Sequence, residues 1–151
     1  MREFATLDEM RPLVGQEVAL SPWLEITQQR IALFADATDD HQWIHVDPER
    51  CQRESPFKTP VAHGFLTLSL LSNLFEKAMR MTDARMVVNY GLNKVRFPAP
   101  VPVGSRVRAR LTLLKVQDLD EGAQLEWSVL IEREGGTKPV CVAEMIMRRY
   151  S

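Results

Sequence analysis

The residues best suited to chemistry are crowded into one short stretch, Thr38-Asp39-Asp40-His41-Gln42-Trp43-Ile44-His45, which holds two of the chain's three histidines. Asp36, Asp39 and Asp40 lie close by in sequence. A carboxylate and an imidazole together are the smallest set that can take and give protons near neutral pH. Histidine changes charge in that range, and an adjacent aspartate can hold a water or fix the ring's tautomer. His41 and His45 are also spaced as two metal ligands on one helical face would be. The absence of an HExxH pattern and the presence of Gln42 and Trp43 between them argue for no metal. A third reading is plain: a polar cap and turn following a helix. Spacing alone leaves these open.

A second stretch, Thr59-Pro60-Val61-Ala62-His63-Gly64, precedes a long apolar segment. The first N–H groups of a helix lack intrahelical acceptors and sit at the positive end of its dipole. Gly64 there would let a ligand come close to the backbone, which suits an oxyanion hole. The competing role for Gly64 is relief of crowding at the helix start. A third feature is basic: Lys94 and Arg96 in Asn89–Pro102, then Arg106, Arg108 and Arg110 on one strand face. These suit either a phosphate-bearing ligand or a solvated outer face, and the solvated face is the expectation for most of them.

The elements that must position these groups follow from periodicity. Val18–Ile26 suits a short strand. Thr27 is a helix N-cap ahead of QQRIALFADA, where Ile31, Phe34 and Ala35 form a narrow apolar stripe. Thr38–Val46 has no clear period and reads as loop. Asp47 and Pro48 open a short helix as cap and first residue. From Gly64 to about Arg80, Phe65, Leu66, Leu68, Leu70, Leu71, Leu74 and Phe75 predict a helix apolar nearly all round, hence a buried one. The second half alternates with period two. Val107, Ala109, Leu111 and Leu113 form one apolar face; Leu125, Trp127, Val129 and Ile131 form another. Val140, Val142 and Ile146 predict a third, interrupted by Glu144. A less regular strand covers Met86–Phe97. Pro98–Gly104, Asp118–Gly122 and Gly135-Gly136 supply turns. The expected fold is α+β, with antiparallel strands curling around one greasy helix and residues 1–151 forming a single domain.

Composition narrows the function. With 45% hydrophobic and 26% charged residues, the 151-residue chain reads as soluble and globular. A net charge of -1 gives no global attraction to nucleic acid or an anionic membrane. No run approaches the ~20 apolar residues of a membrane span. Cys51 and Cys141 lack metal or disulfide spacing, and a reducing, cytoplasmic setting is expected.

Taken in order, these motifs resemble those of the MaoC-like dehydratases, or R-specific enoyl-CoA hydratases. Their signature is Ser-Gly-Asp-x-Asn-Pro-aliphatic-His, and its Asp and His fall on Asp40 and His45. Ala62-His63-Gly64-Phe65 resembles the family's Ala-His-Gly step into the central helix, and Arg96-Phe97-Pro98-Ala99-Pro100-Val101 resembles its sheet motif. The likeness runs from about residue 14 onward and is strongest to the nodulation-protein-N-like branch. Two departures stand out: Asp39 replaces glycine, and Gln42-Trp43 replaces Asn-Pro.

The resemblance implies a hot-dog fold and a homodimer. It implies an acyl-CoA thioester substrate and no dissociable cofactor. It implies that Asp40 and His45 activate water for addition to a trans-2-enoyl-CoA, giving an R-3-hydroxyacyl-CoA. The N–H of Gly64 would serve the enolate oxygen, and Gln42, His63, Asn89 and Arg96 would contact substrate. Two alternatives stay in view: an acyl-CoA thioesterase, for which the helix offers only the late Glu76, and a non-catalytic acyl-CoA-binding module.

Overall fold

The computed structural model describes all 151 residues. The chain opens with strand β1 (Arg2–Phe4) and two single 3-10 turns at Leu7–Glu9 and Arg11–Leu13. Strands β2 (Glu17–Leu20) and β3 (Leu24–Glu25) follow. Then come helices α1 (Gln28–Thr38), α2 (Trp43–Val46), α3 (Pro48–Glu54), α4 (Gly64–Ser69) and α5 (Leu71–Ala78). Strands β4 (Met79–Met81), β5 (Met86–Arg96), β6 (Arg106–Leu119), β7 (Gly122–Arg133) and β8 (Cys141–Tyr150) complete the chain.

The main sheet is antiparallel, in the order β2-β6-β7-β8-β5, with β3 also paired to β6. It wraps the helix formed by α4 and α5, the hot-dog arrangement expected. That helix tightens at Leu70 without losing its ladder: Leu70 N–H donates to Leu66 O, and Leu74 N–H to Leu70 O. It ends at Ala78 because Met79 is extended and starts β4, which pairs in parallel with β1. The helix is less uniformly buried than its sequence predicts. Leu66, Leu70, Leu71, Leu74, Phe75 and Ala78 face the core, while Phe65 is 69% exposed. Ser69, Ser72, Asn73, Glu76 and Lys77 lie on the open side.

The core is one cluster built where that helix meets the sheet. Val107, Ala109, Leu111 and Leu113 of β6, and Leu125, Trp127, Val129 and Ile131 of β7, are all buried, as their alternation predicts. Phe75 meets Trp127 edge to face with ring centres 4.9 Å apart, a favoured aromatic geometry. On β8 the reading is corrected. The inward residues are Cys141, Ala143, Met145 and Met147, whereas Val142 and Ile146 share the outer face with Glu144. Register decides this: Met145 lies opposite Trp127 and Ala143 opposite Val129, and directly opposed residues share a face.

On the outer face, Arg106 pairs with Glu134 at 3.0 Å, Arg108 with Glu132 at 2.5 Å, and Arg110 with Glu17 at 3.0 Å. Arg108 also stacks over Trp23. The three arginines are engaged with their own sheet, in keeping with a solvated face. No helix is long and apolar enough to cross a membrane.

Leu74 is 1% exposed and Leu33 is 62% exposed. Leu74→Ala should cost about 2–5 kcal/mol, since a buried leucine leaves a cavity. Leu33→Ala should change stability by less than about 0.5 kcal/mol. Denaturant unfolding followed by Trp fluorescence measures both.

Candidate functional site

The caps that aim the polar loop form as the sequence dictates. Thr27 accepts a hydrogen bond from Arg30 N–H and starts α1. Asp47 accepts one from Arg50 N–H and, with Pro48, starts α3. Between them α1 ends on Asp39, whose φ of 57° and ψ of 27° are left-handed. The N–H groups of Asp39 and Asp40 both end on the Ala35 carbonyl. This is the position at which the related motif has glycine. Glycine suits that backbone without strain, and aspartate is among the few other residues that adopt it. Asp39 therefore acts through its backbone, turning the chain so that Asp40 follows. Its side chain is exposed.

What was expected to be loop contains one helical turn, α2, which carries His45 inward. His45 is 7% exposed. Its Nδ1–H donates to the Val61 carbonyl at 2.6 Å, and a carbonyl accepts only, so Nε2 carries the free lone pair. Gln28 Nε2–H donates to the His45 carbonyl at 2.9 Å. Val61 is itself held, with its N–H on the Ile44 carbonyl and a bridge to Pro102. Burial lowers the proton affinity of His45, outweighing the Val61 bond and Asp40, which favour the charged ring; His63 adds to the lowering.

His63, 2% exposed, stacks on His45 with ring centres 3.8 Å apart and planes 24° apart. Its Nε2–H donates to the Asp40 carbonyl at 3.0 Å. Donor atoms of Asp40, His45 and His63 all lie within 4.8 Å of one another. Such a cluster invites a metal reading, but nearly parallel stacked rings do not direct their in-plane lone pairs to one shared point, so they suit tetrahedral coordination poorly. His41 lies outside the cluster, its Nε2 2.8 Å from Asp36 at the surface.

Gly64 begins α4 behind His63, whose side chain makes no cap bond. The first N–H groups of α4 thus have no intrahelical acceptor. A Cβ on Gly64 would lie 3.1 Å from the Phe97 ring. Gly64 thus combines an N–H without an intrahelical acceptor with a close approach of the Phe97 ring.

The other candidates scatter. Gln42 is the residue before α2, and its N–H donates to Asp40 Oδ1 at 3.3 Å. Asn89 Nδ2–H donates to Ser72 Oγ at 3.3 Å, on the margin of an apolar groove. Arg96 is exposed and donates to its own neighbour, the Val95 carbonyl, at 2.7 Å. Sequence reasoning missed Val61 and Gln28. Val61 contributes only a backbone carbonyl, which no side-chain pattern reveals.

The left-handed Asp39 makes Asp39→Gly stabilising, by up to about 1 kcal/mol, seen as a raised Tm with the fold unchanged. The His45 shift has a definite sign. Its folded proton affinity is lowered from an ordinary value of 6.5, so the unfolded chain binds the proton first. Its contribution is intact above about pH 6.5 and is lost as pH falls below that toward the lowered folded value. Chemical denaturation across pH should show that acid limb flattened in His45→Gln.

A family model described as MaoC like domain matches residues 9–134. The chain is 52% identical over 149 residues to 3-hydroxyacyl-thioester dehydratase Z of Mycobacterium tuberculosis, covering 98% of each chain. It is 45% identical over 145 residues to nodulation protein N of Rhizobium leguminosarum bv. viciae, covering 93% of this chain and 89% of that one. An unliganded R-hydratase from Pseudomonas aeruginosa superposes with a TM-score of 0.73 over 91% of this chain and 82% of the other, at 22% identity, a likeness of fold. By both sequence and fold, the chain belongs to the MaoC-like dehydratase family.

Proposed function

We propose that residues 1–151 form a single-domain R-specific enoyl-CoA hydratase, which adds water reversibly to a trans-2-enoyl-CoA to give an R-3-hydroxyacyl-CoA. The observation that carries this reading is the buried His45, with Nδ1–H committed to Val61 and a ring nitrogen within 4.8 Å of a carboxylate oxygen of Asp40. Burial favours the neutral ring, so Nε2 can accept a proton from water.

In this mechanism Asp40 and His45 hold one water. Its oxygen bonds to C3 while a proton passes to the pair, and the C2=C3 electrons move toward the thioester oxygen. The N–H of Gly64 meets the negative oxygen, where a preorganised donor is most effective. A proton then goes from the pair to C2 on the same face, restoring the thioester and the pair. No dissociable cofactor takes part. Gln42, Asn89 and Arg96 are proposed to contact substrate at the edges of the site. The 52%-identical dehydratase bears a name consistent with the reverse of this reaction.

An apolar groove supports an acyl substrate. It has a volume of about 620 Å³ and runs beside α5, with Ser72, Phe75, Met79, Met81, Met86 and Met145 among its walls. A smaller pocket lined by Leu68 and Ser69 shares Ser72, Asn89 and Met145 with it, so the two adjoin along the open side of the helix. Methionine's flexible thioether adapts to an extended chain.

We also propose a cytoplasmic homodimer. Strand β5 ends the sheet with one edge unpaired, and Met86, Val87, Val88, Tyr90 and Leu92 on it are exposed. An apolar free edge is a pairing surface. Leu92→Asp should lower the mass in light scattering from dimer toward monomer.

The deciding assay follows loss of enoyl-thioester absorbance with crotonyl-CoA and with longer enoyl-CoAs. Asp40→Asn and His45→Gln should each abolish turnover with the fold intact. Met81→Trp should slow long-chain substrates by tenfold or more on an order-of-magnitude scale and spare crotonyl-CoA. Inactivity of the wild type on every chain length would overturn the hydratase reading and favour an acyl-CoA-binding role.

A further inference from the structure

His63 is a buried titratable group beside the pair that the mechanism above leaves unused. The sequence suggests substrate contact for it, but its ring is 2% exposed. It stacks on the His45 ring at 3.8 Å and meets the tilted ring of Phe34 at 4.9 Å between centres. Its Nε2–H is committed to the Asp40 carbonyl. Its Nδ1 is buried with no hydrogen-bond partner.

That last feature is informative. A bare buried acceptor costs stability, and a leucine or phenylalanine would fill the space without it. A purely packing role would therefore favour an apolar residue. What histidine offers and phenylalanine does not is the Nε2–H on Asp40. That bond spans 23 residues and fixes the peptide plane from which the Asp40 side chain departs. The same ring lies flat on His45, whose other restraint is the single bond to Val61. One side chain thus touches both members of the pair.

We infer that His63 is a positioning residue, setting Asp40 through its Nε2–H and His45 through the face of its ring. The inference rests on the proposed hydratase reading for its effect on turnover, but the geometric claim stands apart from it.

Two variants separate the two contacts. His63→Phe keeps a flat ring against His45 and removes the donor. His63→Gln keeps a side-chain N–H at comparable reach and removes the ring. With His63→Ala removing both, kcat should fall about 100-fold, the scale of a small misplacement of reacting groups, and KM should stay within about threefold. His63→Gln should recover part of kcat. In long-range 1H–15N spectra of the imidazoles, wild type should show His45 protonated at Nδ1. His63→Phe should keep that signature, and His63→Ala and His63→Gln should turn it into a mixture of tautomers. Circular dichroism and Tm identify any variant that fails to fold, and the remaining variants then decide the question.

Loss in KM rather than kcat would make His63 a substrate contact and overturn the inference. An unchanged kcat together with an unchanged His45 signature in His63→Ala or His63→Gln would overturn it as well. If wild type proved inactive on every enoyl-CoA, the hydratase reading would fall, while the His45 spectra would still decide the positioning claim.

Discussion

The hydrogen bond from His45 Nδ1–H to the Val61 carbonyl, 2.6 Å long, works with the Val61 N–H bond to the Ile44 carbonyl to join α2 to the chain that leads into the main sheet. Val61 belongs to the bridge with Pro102, which leads into β6 and the main sheet. His45 belongs to α2, tethered to α1 by Gln28. The bond therefore ties a helical layer to the sheet at the point where Asp40, His45 and His63 come together. It also selects the tautomer. Without it, either ring nitrogen could carry the proton, and the side presented to Asp40 would be undefined.

The surroundings work against the charged form of this ring and for its fixed direction. Burial disfavours the imidazolium, and the Val61 carbonyl and Asp40 partly offset that. Asp40, by contrast, is exposed, at the end of a turn that the left-handed Asp39 makes. The site thus combines a buried imidazole with a carboxylate at the solvent boundary.

Much of this was legible in the sequence, for identifiable reasons. Thr27, Asp47 and Pro48 act locally, and a cap needs only a few neighbouring residues. The alternation in β6 and β7 has one strongly apolar side and one polar side, so it has one solution. Strand β8 has apolar residues on both sides, and there the pairing with Trp127 and Val129 decided the inward face, information that lies on another strand. The pairing of β1 with β4 joins residues 77 positions apart, Arg2 with Met79, and has no local signal. In the site, Asp40, His45 and Gly64 stood out as a set through their resemblance to the family's motifs, since spacing alone left their roles open. The contacts of His63 with Asp40 and His45, and the part played by Val61's carbonyl, exist only after folding brings α2 against the start of α4.

The two cysteines carry a consequence of their own. Cys51 is fully buried under α2, its thiol 3.5 Å from the carbonyls of Trp43 and Ile44. Cys141 is equally buried, but in the sheet at the heart of the core, and burial pushes its thiol up to about 11. A thiol reagent reaches the first only when the layer holding His45 lifts, and the second only when the sheet itself opens. The native chain therefore carries two built-in clocks, one for the breathing of its reactive corner and one for the loss of its whole framework.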